Sequence, residues 1–197
     1  MILHIPYRIW LQIREYVQAA QPNEVTGIGA IKVLNKQEVR VTEIFLPRQK
    51  ADPAYSEFAK GELAKIVSNF VRNNPASAGN LCFRWHSHGI GKVYWSSIDN
   101  EDIDHWKGKY VFNLVTNVQG DVLARVDIFE PFRLAVDAEV VIDYPSLTHE
   151  ERQNYFDEVC TKVVPIPPKP QEGEDLELTP DELDILDMLS KSDRGGV

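Results

Sequence analysis

Apolar positions recur at helical spacing in two early stretches of the chain. Residues 8 to 20 place Ile9, Ile13, Tyr16, Val17 and Ala20 on one helix face, and residues 58 to 73 do the same with Leu63, Ile66, Val67 and Phe70 before Pro75 stops the pattern. Between them, 27–34 and 38–46 predict a hairpin through Leu34-Asn35-Lys36-Gln37. Leu81-Cys82-Phe83-Arg84-Trp85 is apolar and aromatic with no helical period, which predicts a buried strand. Residues 110–117 and 122–129 predict a second hairpin turning at Val118-Gln119-Gly120-Asp121, and Val136 to Ile142 one more strand at an edge. Helices interleaved with strand pairs imply an α/β fold, a mixed β-sheet flanked by helices.

The pattern changes beyond Tyr144. Thr148-His149-Glu150-Glu151 has the form of a capping box, opening a helix that runs to about Lys162. Val164-Pro165-Ile166-Pro167-Pro168-Lys169-Pro170 predicts a stiff polyproline-type spacer, and Gln171 to Glu177 has the acidic composition of a disordered segment. Thr179 and Pro180 then suit the cap and first position of a short C-terminal helix with a sticky face of Leu183, Leu186, Met188 and Leu189. That helix has two readings: a marginal tail without a partner, or a docking element for a protein partner or for the chain's own domain. The expected organisation is a compact domain over 1–145, a helix over 146–163, and a Pro-rich linker with an acidic tail and a short helix over 164–197.

Composition narrows the function classes. A chain of 197 residues with 43% hydrophobic content suits one compact domain and a tail. A formal charge of −9 without a basic stripe argues against nucleic acid as a partner. No apolar run reaches the ~18 residues of a membrane span, and Met1 to Pro6 is too short and uncharged for a signal peptide. Cys82 and Cys160 have no zinc-knuckle spacing, so reduced thiols and a soluble, cytoplasmic protein are expected.

The chemistry concentrates in Trp85-His86-Ser87-His88-Gly89 and Tyr94-Trp95-Ser96-Ser97-Ile98-Asp99. In a strand, residues i and i+2 face the same side, so His86 and His88 can reach one ion. Ser96 and Ser97 precede an acidic run, the composition of a helix start, which would present Asp99 from its first turn. Two imidazoles and a carboxylate make a three-ligand zinc site with a position left for water, the catalytic rather than the structural type. A His-x-His pair alone is more often merely hydrogen-bonded; Asp99 and Ser96 at their offsets make the pattern specific. Hydrolysis also requires a base that is not a ligand, and the candidate is Glu24 in Pro22-Asn23-Glu24-Val25-Thr26-Gly27.

These residues resemble the JAMM metalloproteases, also called MPN-plus domains, over roughly residues 1 to 140. The signature is a Glu three residues before a Gly, a His-Ser/Thr-His, and a Ser separated from an Asp by two residues. Glu24 with Gly27, His86-Ser87-His88 and Ser96 with Asp99 fill it. The resemblance implies a cytidine-deaminase-like fold in which His86, His88 and Asp99 hold Zn²⁺, Glu24 serves as general base and then acid, and Ser96 donates to the oxyanion. Ser87, on the opposite strand face, is assigned a supporting role. The implied substrate is a ubiquitin-like or sulfur-carrier protein with a Gly-Gly tail, cleaved as an isopeptide conjugate or as a precursor. The alternative outside enzymes is an MPN interaction scaffold. Two departures stand out. Gly89 occupies a position usually held by Pro, which predicts a more mobile loop from Gly89 to Trp95. No long insertion follows Asp99, which points away from ubiquitin itself. Tyr94 and Trp95 are open between lining a substrate groove and packing.

Overall fold

Strand alternation sorts the chain into two faces, and the rest of the architecture follows from which face each helix covers. The structure, a computed structural model, describes residues 1–143 and 147–165. The strands are β1 (Ile2–Pro6), β2 (Thr26–Val33), β3 (Glu38–Phe45), β4 (Gln49–Asp52), β5 (Tyr55–Phe58), β6 (Phe83–Ser87), β7 (Tyr110–Thr116), β8 (Val122–Ile128), β9 (Leu134–Asp143) and β10 (Val163–Pro165). The helices are α1 (Tyr7–Ala20), α2 (Glu62–Asn73), α3 (Ser97–Asp104) and α4 (His149–Lys162), with a short 3-10 helix over Pro75–Asn80.

Among the described residues, seven strands close into a barrel in the order β1-β3-β2-β6-β7-β8-β9, and β10-β4-β5 form a second, three-stranded sheet. On β6, Phe83 and Trp85 point to the core while Arg84 and His86 point away; on β7 and β8 the core-facing residues include Phe112, Leu114, Ala124 and Val126. The apolar face of α1, with Trp10, Ile13, Tyr16, Val17 and Ala20, fills the interior of that cluster. α4 opens with the expected capping box, in which Thr148 and Glu151 satisfy each other's amides, and buries Val159 in the same core. Tyr16 joins the two helices by donating to Glu158.

Several elements differ from the sequence reading. The expected mixed sheet flanked by helices is closed rather than open, because β1, a five-residue strand with Leu3 and Ile5 fully buried, lies parallel between β3 and β9. β9 is therefore an inner strand and not an edge. Phe58, read as the first residue of the second helix, instead ends β5, which pairs with β4, and Gly61 at φ 83° separates it from α2. Val164 and Pro165, read as the start of a polyproline spacer, belong with Val163 to β10, which pairs in parallel with β4; proline donates no hydrogen bond, but a short outer strand tolerates that. The remainder of the spacer, the acidic stretch and the helix at Thr179 lie outside the described residues. No helix among the described residues is long and apolar enough to cross a membrane. Cys82 is buried, and desolvation pushes its thiol up to about 12, while Cys160 is exposed; neither forms a disulfide.

One glycine carries the packing next to the site. Gly27 pairs with Trp85 across β2 and β6, and a Cβ at Gly27 would stand 2.4 Å from the Trp85 indole. The Gly27→Ala variant should therefore lose about 1–3 kcal/mol, the cost of overpacking a filled core, measured by denaturant unfolding; unchanged stability would show that the indole is free to move.

Candidate metal centre

β6 delivers the imidazoles and α3 delivers the acid. His86 lies opposite Thr26 of β2, and His88 follows where the strand ends. Ser96 caps α3: its hydroxyl accepts from Asp99 N at 3.1 Å and donates to Asp99 Oδ2 at 2.7 Å, and the Ser96 amide donates to the same oxygen at 2.8 Å. This capping box fixes the Asp99 carboxylate toward β6. His86 Nε2 is 3.0 Å from Asp99 Oδ1, His88 Nε2 is 3.4 Å from Asp99 Oδ2, and the two Nε2 atoms are 3.2 Å apart. One ligand atom from each of His86, His88 and Asp99 falls within 4.8 Å of the others.

The donor set fits a divalent cation on its own chemistry. His88 Nδ1 lies 3.1 Å from the Lys92 carbonyl, which only accepts, so this nitrogen carries the proton and Nε2 of the neutral ring offers a lone pair. That atom faces Asp99 Oδ2 and His86 Nε2; without a cation only a proton on an imidazole Nε2 can bridge to the carboxylate, and a divalent ion at the common point would take the place of that proton. The charge balance already leans that way. Burial opposes the Asp99 carboxylate, yet hydrogen bonds with His86, His88 and Ser96 outweigh it and hold the group far below the usual carboxylate range. Burial lowers His86. At His88 burial is outweighed by Asp99 and the Lys92 carbonyl, so the ring titrates above its usual value.

Glu24 lines the same cleft, of about 580 Å³, as the three ligands and Ser96. Desolvation, with a smaller contribution from Asp99, pushes its carboxyl up to about 8, against the attraction of His88. The residue is placed by groups that no sequence motif announces. Its amide donates to the Asp52 carbonyl at 2.9 Å, Val25 N donates to Ser87 Oγ, and Gln49, buried at 1% exposure, both accepts from Thr26 N and donates to the Thr26 carbonyl. The supporting role given to Ser87 thus has a definite form: it ties β6 to the residue after Glu24. Ser96 lines the cleft as well, with its hydroxyl engaged by Asp99.

The loop after His88 is pinned. Gly89 adopts φ 50°, a conformation closed to proline, its carbonyl accepts from Val118 N, and Asn117 Nδ2 donates to the Gly91 carbonyl at 2.9 Å. Glycine here serves a left-handed turn. The two aromatics separate: Tyr94 lies edge-on to His88 at 4.7 Å and lines the cleft, whereas Trp95 packs over Arg125 at 4.4 Å. Arg84 also reaches the cleft, two residues before His86, with burial lowering its guanidinium against the pull of Asp102. A charge in the middle of an aromatic strand was the available signal for it.

The fold and this site together define a JAB-type domain. The family model Prok-JAB, prokaryotic homologs of the JAB domain, matches residues 6–128, and the chain belongs to that family. Domains of this family often bind zinc, and the family includes hydrolases. No curated protein matches the chain. Among solved structures it is similar to a solution structure of a protein from Desulfitobacterium hafniense, with a TM-score of 0.49 and 11% identity over 77% of this chain and 98% of that one.

The raised carboxyl of Glu24 gives a pH signature in the metal-free protein. An acid whose folded value is about 8 and whose unfolded value is 4.5 stays protonated in the folded state while the unfolded state ionises, so stability falls as pH rises from 4.5 to 8 and levels off above it. The difference in unfolding free energy between wild type and Glu24→Gln should follow that course, and should shrink when zinc is added, because a cation favours the carboxylate. A difference independent of pH would show that Glu24 is solvated and ordinary.

Proposed function

We propose that this chain is a zinc-dependent peptidase or isopeptidase that hydrolyses the bond after the C-terminal Gly-Gly of a ubiquitin-like protein, by deconjugation or by precursor processing. The observation that carries the reading is the convergence of His86, His88 and Asp99 within 4.8 Å in a cleft that also holds Glu24. Three protein ligands leave one position for solvent, as in hydrolytic zinc sites. Zinc supplies Lewis-acid polarisation of the scissile carbonyl and lowers the pKa of a bound water.

The chain's own residues do the rest. His86, His88 and Asp99 would hold the ion. Glu24, a carboxyl with a raised affinity for protons in a desolvated cleft, accepts a proton from the attacking water at its carboxylate oxygen and returns it to the leaving amine. Ser96 fixes Asp99; donating to the substrate's carbonyl oxygen, the task implied by the family resemblance, requires its hydroxyl to leave Asp99 Oδ2. Ile90 at 80% exposure, Tyr94 at 56% and Ile98 at 47% all line the cleft, an apolar lip suited to a protein substrate rather than a small polar solute. A Gly-Gly tail suits close approach to such a site because glycine has no side chain to hold its backbone away.

Zinc analysis paired with cleavage of a ubiquitin-like protein carrying a C-terminal extension tests the proposal. Glu24→Gln should keep one zinc and lose turnover by roughly 10²–10⁴-fold, the usual worth of a general base; near-wild-type turnover would unseat Glu24. His88→Ala should lose the metal, so equal zinc content in that variant would contradict the ligand set. A sulfur-carrier protein with residues beyond its Gly-Gly is the second substrate to assay. A wild-type chain that takes up zinc and binds either protein without cutting it would place the chain among interaction scaffolds.

A further inference from the structure

α3 is poorly equipped to stay on the sheet by apolar packing. Of Ser97-Ile98-Asp99-Asn100-Glu101-Asp102-Ile103-Asp104, four residues are acidic and only Ile103 is buried. Helices in proteins owe most of their stability to a packed apolar face, and this one nearly lacks it. Yet α3 carries Asp99, whose oxygens must meet two imidazoles on a different element. Its attachment comes from three arginines on the sheet side. Arg84 of β6 lies 3.6 Å from Asp102, Arg125 of β8 donates from Nη2 to Asn100 Oδ1 at 2.6 Å, and Arg133, between β8 and β9, donates from Nε to Asp104 Oδ1 at 3.0 Å.

Arg125 is the centre of this arrangement. Its guanidinium stacks on Trp95 at 4.4 Å and bonds Asn100, so one planar group touches the residues on either side of the Ser96–Asp99 capping box. Asp127, at 0% exposure, holds it there: Asp127 Oδ2 accepts from Arg125 Nε at 2.8 Å and from Asn113 Nδ2 at 2.7 Å, while Arg133 Nη1 lies 2.8 Å from Oδ1. The pairing register sets Arg84, Asn113 and Arg125 in one row across β6, β7 and β8, on the face that α3 covers. A buried carboxylate and guanidinium are expensive to desolvate and add little stability compared with apolar residues of the same size. Their presence here calls for a use other than holding the barrel together.

We propose that Arg125, backed by Asp127, is a positioning residue that sets Asp99 against His86 and His88 by gripping Trp95 and Asn100 on both sides of it. The inference rests on the metal-site reading above, and it adds to it the groups that place the helical ligand.

The test uses the full chain, first metal-free and then with zinc, and reads amide hydrogen exchange in α3, zinc affinity by chelator competition, and the global unfolding midpoint. Asn100→Ala removes the acceptor that faces Arg125 and leaves the Arg125–Asp127 pair in place. Asn100→Asp restores an acceptor for Arg125 and gives up only the Asn100 side-chain amide bond to the Ser96 carbonyl. Glu101→Ala, at an exposed position of the same helix, is the control. Asn100→Ala and Arg125→Lys should speed α3 exchange and weaken zinc binding by about 10–100-fold, the usual effect of losing a group that orients a metal ligand, with the Asn100→Ala unfolding midpoint unchanged. Asn100→Asp should recover both readouts, and Glu101→Ala should alter neither. Wild-type exchange and wild-type zinc affinity in Asn100→Ala and Arg125→Lys would overturn the proposal. Exchange that responds in a chain taking up no zinc would support the grip on α3 and overturn the metal reading alone.

Discussion

The register of β6 against β2 decides whether this chain has a site at all. Side chains alternate along a strand, so a slip by one residue would turn His86 and His88 into the core and bring Trp85 out. Two contacts hold the register. Trp85 packs onto Gly27, where any side chain would collide with the indole, and Ser87 exchanges hydrogen bonds with Val25 through both its amide and its hydroxyl. The same two contacts place Glu24, which precedes Val25. A single pairing thus brings the two imidazoles and the candidate base into one cleft.

Asp99 joins local structure to chemistry. Its carboxylate accepts from the Ser96 amide and hydroxyl at the start of α3, where the unpaired amides and the positive end of the helix dipole favour an anion. The same group lies 3.0 Å from His86 and 3.4 Å from His88. Helix capping fixes the ligand, and against the cost of burial its proton affinity is lowered by hydrogen bonds with His86 and His88 and, to a smaller extent, with Ser96. Glu24 has the opposite surroundings, where desolvation outweighs the attraction of His88 and pushes its carboxyl up to about 8. Two carboxylates in one cleft are driven apart in proton affinity, one suited to hold a cation and the other to carry a proton.

Much of this was legible in the chain because it is local. The His86–His88 spacing, the cap formed by Ser96 with Asp99, the first helix, read from residue 8 and observed from Tyr7, both hairpins and the Thr148–Glu151 capping box depend on residues close in sequence. What escaped depends on distant pairing. β1 is too short to show a period, and only its parallel partners β3 and β9 make it a strand that closes the barrel. β4 and β5 have little apolar content, so Gln49, which holds the backbone beside Glu24, carried no pattern. The partners that hold Gly89 and Gly91, Val118 and Asn117, sit on another hairpin, so the shape of this loop was not readable from its own residues. Arg84 and Arg125 interrupt apolar strands, and that interruption marked a face to be covered by α3.

X-ray absorption at the zinc edge on the zinc-loaded full chain tests the central claim most directly. The account predicts a four-coordinate ion with two imidazole nitrogens at about 2.0–2.1 Å and oxygen neighbours at about 2.0–2.2 Å, one imidazole being lost in His86→Ala. A spectrum dominated by sulfur, or one with imidazole scattering unchanged by that substitution, would contradict it.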